Sequence, residues 1–131
     1  MKNEKKQKSE KENLKKKIFV VDDEYVVIDV LKTFLVEKNY HVIFEIDPTN
    51  FENIVEKEKP DLIFLDNRMY PITGKELLRK MRLKGLNIPV VMMSAYKTRD
   101  GIFEMKQLGA VDYIAKPFDF KKISKILTRC F

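Results

Sequence analysis

The sequence has no tryptophan, one cysteine, one histidine and only four glycines in 131 residues. One thiol, Cys130, cannot close an internal disulfide, so a reducing, cytoplasmic setting is the expectation. The lone histidine, His41, excludes chemistry that needs two imidazoles from one chain. No stretch approaches the roughly 18 apolar residues of a membrane span. Met1 is followed by lysines and not by the hydrophobic segment of a secretion signal. A length of 131 residues suits one domain with one core.

What is abundant is charge, and it is unevenly placed. The formal net charge is +6. Residues 1–17 hold eight lysines against three glutamates, while the remainder is close to balanced. The basic character therefore belongs to a tail. Residues 1–16 contain one large apolar residue after Met1, Leu14, and are expected to be disordered or loosely helical, a solubilising tail in preference to one drawn to an acidic surface. With a near-neutral body, neither nucleic acid nor a membrane is expected as a partner.

From Lys17 onward, short apolar runs alternate with helical patterns. IFVVDD (Ile18–Asp23), HVIFEI (His41–Ile46), DLIFLD (Asp61–Asp66), IPVVMMS (Ile88–Ser94) and VDYIA (Val111–Ala115) read as strands. Between and after them, Glu24–Lys38, a segment capped by Asp47 and running from Pro48 towards Lys57, Gly74–Lys84, Asp100–Leu108 and Asp119–Cys130 read as helices. Gly109 is expected to end the fourth. This alternation predicts a five-stranded parallel, doubly wound α/β sheet of the flavodoxin-like (βα)5 type, spanning residues 17–131. Ligand sites in such sheets lie at the carboxyl ends of the strands.

Those ends carry Asp22 and Asp23, Asp66, Ser94, and Lys116 before Pro117. Each alone has an ordinary explanation. Asp23 or Glu24 could cap a helix, and Ser94 and Lys116 could be loop residues. Their convergence on one edge changes that reading. Two like charges about 4 Å apart repel by roughly 4 kcal/mol at an effective dielectric near 20, so three acids need a counter-charge. A hard divalent cation such as Mg²⁺ takes oxygen ligands and fits. Asp66 could also act as a nucleophile towards phosphorus, with Lys116 neutralising and Ser94 donating a hydrogen bond.

The residues resemble the response-regulator receiver domain over nearly all of residues 16–131. The resemblance rests on FVVDDE, on DLIFLD with Gly74 eight residues past Asp66, on PVVMMSAY, and on LGAVDYIAKPF. It implies that Asp66 is phosphorylated and that Asp22, Asp23, Asp66 and the Arg68 backbone carbonyl hold Mg²⁺. It further implies that Ser94 and Tyr113 form a switch pair, that Lys116 reads the phosphoryl group, and that Lys116–Pro117 is cis. One departure stands out. The family commonly has proline four residues past the acceptor, where this chain has Tyr70, with Pro71 following.

Within the family, SAYKTRDGIFEMKQLGAVDYIAKPFDF is most similar to the single-domain sporulation phosphorelay intermediate. The expected function is phosphoryl acceptance from a sensor histidine kinase. Onward relay to a histidine phosphotransferase, or signalling to a downstream regulator, would follow. The alternative is a chemotaxis-type receiver acting only by phosphorylation-dependent docking. With the sequence ending one residue past the last helix, no output domain is expected. On phosphorylation Ser94 is expected to move towards the phosphoryl group and Tyr113 to swing inward. Arg68 and Tyr96 are placed to shield the acyl phosphate, giving it a long life. Two rival readings carry less weight. An aspartyl phosphatase would want a second acid at position 68, which is Arg68, and a receiver that only binds protein would have lost an acid or the lysine.

Overall fold

Five strands form one parallel sheet: β1 (Lys17–Val21), β2 (His41–Glu45), β3 (Leu62–Asp66), β4 (Val90–Ser94) and β5 (Asp112–Ala115). The order across the sheet is β2-β1-β3-β4-β5. The direction of growth reverses at β1, which opens a crevice between β1 and β3 at their carboxyl ends. This is a computed structural model, and it describes residues 16–95 and 98–131. The lysine-rich segment, apart from Lys16, and Tyr96 lie outside the described residues.

Strict alternation along the strands builds the two faces. Ile18, Val20, Leu62, Phe64, Val91 and Met93 point one way. There they meet Ile28, Leu31 and Leu35 of α1 (Tyr25–Glu37) and Ile123, Ile126 and Leu127 of α5 (Phe120–Cys130). Phe19, Val21, Ile63, Leu65, Val90 and Met92 point the other way. They meet α2 (Phe51–Glu58), α3 (Gly74–Leu83) and α4 (Arg99–Gln107) through Phe51, Val55, Leu77, Leu78, Met81 and Met105. Both sheet faces are covered, which is why the strands read as continuous apolar runs. The flavodoxin-like (βα)5 expectation therefore holds.

Several boundaries differ from the sequence reading, each for a local reason. Asp47 does cap, but its carboxylate takes the Thr49 N–H of a 3-10 turn, Pro48–Asn50, and α2 starts only at Phe51. That helix ends at Glu58, where Lys59 turns left-handed at φ 48°. Thr98 caps α4 by accepting from Gly101 N–H, so the helix begins one residue before Asp100. Asp119 caps α5 through Lys121 N–H. Gly109, at φ 88°, follows α4 in the left-handed region that glycine tolerates without strain.

Candidate functional site

β1 delivers two acids to the crevice at its carboxyl end, and they behave differently. Asp22 is fully buried, while Asp23 is exposed. The Asp22 carboxylate accepts from Glu24 N–H at 2.9 Å, which fixes it at the start of α1. Glu24 occupies the helix N-cap without any side-chain cap bond. The simple capping explanation for Asp23 or Glu24 therefore fails.

Asp66 is the last residue of β3 and is 3 % exposed. Its position depends on Gly74. A Cβ at residue 74 would lie 2.1 Å from the Asp66 carbonyl oxygen and 2.9 Å from its carbonyl carbon. Only glycine lets α3 start this close to the acceptor strand. The returning chain is tied down by Gly74 N–H to Asn67 O at 3.0 Å and Lys75 N–H to the Asn67 side chain at 3.2 Å. Thr73 then caps α3 through Glu76 N–H. Asn67 carried no functional signal in the sequence, because its role is visible only once loop and helix close on each other.

Lys116 follows β5 and joins the acids. Its Nζ lies 2.6 Å from Asp22 Oδ2 and 3.0 Å from Asp66 Oδ1. Its own N–H bonds Ser94 O at 2.9 Å, so β4 and the β5–α5 loop are locked together beside the acids. Ser94 is 3 % exposed, and Asp66 pairs in register with its neighbour Met93. The Lys116–Pro117 peptide is cis, as the resemblance implied, and Tyr70–Pro71 is cis as well. Arg68 lies in the β3–α3 loop two residues past Asp66, with an exposed side chain.

Tyr113 is 5 % exposed and packs into the α2–α3–α4 side of the core. Its place in a strand paired only with β4 was legible, but the side-chain position was not.

The electrostatics are those of an under-neutralised cluster. Burial pushes the Asp66 carboxyl up to about 6 from 3.8, and the neighbouring Asp22 charge adds to it, against the pull of Lys116. Burial also raises Asp22, again against Lys116. Burial opposes the charge on Lys116, yet its bonds to Asp22 and Asp66 hold it above its ordinary value. One ammonium shared by two buried carboxylates satisfies neither fully. Asp22, Asp23 and Asp66 each offer a carboxylate oxygen, and these atoms lie within 4.8 Å of one another. Three hard oxygen donors with a single ammonium among them fit a divalent cation of the Mg²⁺ kind.

Among the described residues, no helix is long and apolar enough to cross a membrane.

Residues 18–128 match the family model described as the response regulator receiver domain. The chain is 36 % identical over 110 residues to sporulation initiation phosphotransferase F of Bacillus subtilis, covering 84 % of this chain and 89 % of that protein. It is 35 % identical to the alkaline phosphatase synthesis transcriptional regulatory protein PhoP of Bacillus subtilis, covering 85 % of this chain but 46 % of that longer protein. Among solved structures, the Vibrio cholerae chemotaxis protein CheY4 superposes with a TM-score of 0.81 at 24 % identity, over 88 % of this chain and 98 % of that one. That likeness carries the fold alone.

Proposed function

The chain belongs to the response regulator receiver family of two-component signalling, and on that premise we propose that Asp66 accepts a phosphoryl group from a phosphohistidine donor. The observation that carries the proposal is Lys116, which bridges Asp22 and Asp66 at 2.6 and 3.0 Å. It sets a cation beside the nucleophile and the metal-side acid at once.

The ionised Asp66 carboxylate attacks phosphorus. An oxygen–phosphorus bond forms, the nitrogen–phosphorus bond of the donor breaks, and the imidazole nitrogen keeps the electron pair. Lys116 offsets charge on the phosphoryl oxygens, and Ser94, at the next strand end, donates a hydrogen bond to one of them. Asp22, Asp23, Asp66 and the Arg68 backbone carbonyl would hold Mg²⁺, which supplies the remaining neutralisation of the transferring group. Ser94 and Tyr113 form the switch pair. Because Tyr113 is already inward, phosphorylation stabilises that position instead of creating it.

Relay is favoured over pure docking by the match to a phosphotransferase along 89 % of that protein's length. A sensor histidine kinase is the donor, a histidine phosphotransferase the receiver, and the setting is cytoplasmic. Intact mass after incubation with acetyl phosphate and Mg²⁺ tests the acceptor. The expected result is a gain of one phosphoryl group, absent in Asp66→Ala and absent without the metal. No gain in the native chain from either acetyl phosphate or a kinase would overturn the proposal. An acyl-phosphate half-life of seconds would favour docking.

A further inference from the structure

The β3–α3 loop presents one side chain that the acceptor chemistry leaves without a task. Tyr70, four residues past Asp66, is 87 % exposed, more than any other large hydrophobic residue among those described. Among the described residues it has no hydrogen-bond, ion-pair or ring partner. Among the described residues, the other exposed aromatics apart from Phe103 of α4 meet another ring. Tyr25 meets Phe44 edge-on at 6.2 Å, and Phe120 packs on Phe34 at 4.7 Å.

Its exposure follows from how the loop is pinned. Met69 on one side is 8 % exposed and buried in the α2–α3–α4 core, and Ile72 on the other packs against the same core. The loop's ends are joined by the Asn67–Gly74 backbone bond at 3.0 Å. With both flanks drawn inward and the base closed, Tyr70 is pushed outward. It is therefore displayed from a fixed loop on the same sheet edge as the acceptor. Asp66 itself is 3 % exposed, so a donor bound to a protein must bring its histidine up to that edge and meet whatever stands around it.

We propose that Tyr70 is a specificity-determining contact for the phosphohistidine-bearing protein partner, its ring being covered when the donor docks. This rests on the receiver reading above. The chemistry at Asp66 is unchanged: the donor's nitrogen–phosphorus bond breaks, the acyl phosphate forms, and Tyr70 exchanges no proton or electron. Its contribution is to binding. A tyrosine gives a large, stiff, amphipathic surface that loses little side-chain entropy when covered, and tyrosines are over-represented among residues that dominate interfaces. The consequence is selective. A small donor such as acetyl phosphate carries no surface to cover the ring, whereas a protein donor does.

The test compares two donors on three chains: native, Tyr70→Ala and Tyr70→Phe. The protein donor is an autophosphorylated histidine-kinase core, taken from a purified panel as the one transferring fastest to the native chain. The small donor is acetyl phosphate with Mg²⁺. The ratio of the kinase rate to the acetyl phosphate rate should fall about tenfold in Tyr70→Ala, through KM more than kcat. Tyr70→Phe should keep most of the native ratio. An unchanged ratio in Tyr70→Ala overturns the inference. So does a fall shared equally by both donors, which would place the effect at Asp66. If the native chain is labelled by neither donor, it is the receiver reading that fails, and the two failures are distinct.

Discussion

At the amino end of the sheet, Glu58 and Asp112 each have at least one cation to themselves. Lys17 lies 2.9 Å from Glu58 and gives its backbone N–H to Asp61, while Arg129 reaches Asp112 at 2.7 Å. At the carboxyl end of the same strands, three acids cluster, and two of them, Asp22 and Asp66, share Lys116. The acids respond in opposite senses. The Lys17 bond lowers Glu58. Burial pushes Asp112 up, but the Arg129 bond and the Tyr113 N–H more than offset it, so Asp112 ends low. At the carboxyl end burial wins, and Asp22 and Asp66 end high. One edge is built for stability. The other holds acids at a cost to stability, a pattern associated with sites that bind or react.

The largest way to break the contrast is to disturb the close approach that creates the acid edge. Gly74→Ala places a methyl group 2.1 Å from the Asp66 carbonyl oxygen, and both partners are backbone, so no flexible tip can yield. A loss of roughly 3 kcal/mol or more is expected in denaturant unfolding. Labelling at Asp66 should fall as the strand end shifts. A fully stable, fully active variant would show that α3 can slide away freely.

Removing the acceptor charge should act the other way. In Asp66→Asn the buried negative charge is gone, and stability at pH 7 should rise by about 2 to 3 kcal/mol, from two pH units at 1.36 kcal/mol each. The pH dependence has a definite sign. The folded value is about 6 and the ordinary one 3.8. Below 3.8 both states are protonated and the substitution gains nothing. Between these values the unfolded chain ionises first, and the native protein is penalised increasingly, in full above about 6. Added Mg²⁺ should shrink the gain by stabilising the native chain. A gain independent of pH would mean that the asparagine merely packs better.

How far each edge was legible in the sequence follows the same division. Strands buried on both faces gave unbroken runs such as IFVV and VVMM, so the sheet and the acids at its carboxyl ends could be read directly. The meeting of Asp22, Asp66 and Lys116 needed only the strand order. Other features depend on distances between segments far apart in sequence, and no local pattern encodes them. Arg82 donates to the carbonyls of Leu86, Ile88 and Gly109, tying together two turns at the amino end, yet in sequence it is one more helix-surface arginine. The Gly74 contact was visible as a spacing but not as a collision. The depth at which Tyr113 is buried was not legible either, because alternation fixes a strand's faces, not how deeply an edge side chain settles.

The smallest expected effect sharpens the contrast most. Asp112→Asn removes the carboxylate that Arg129 and Lys122 face at 2.7 and 3.7 Å. Because Arg129 is largely exposed, solvent screens the pair, and the loss at pH 7 should stay below about 1 kcal/mol. Its sign is opposite to that at Asp66. Asp112 is held below its ordinary 3.8 in the folded chain, so its stabilisation is complete above that value and fades as the pH falls through the lower folded one. Urea unfolding of both asparagine variants at several pH values reads the two edges on one scale. From pH 7 downward, the gain of Asp66→Asn should vanish between about 6 and 3.8, while the loss of Asp112→Asn should persist there and vanish only below. If both differences move in the same direction with pH, the two edges are not electrostatically distinct. The raised acids at the carboxyl end would then reflect net charge and not the crowding of Asp22 and Asp66 around one lysine.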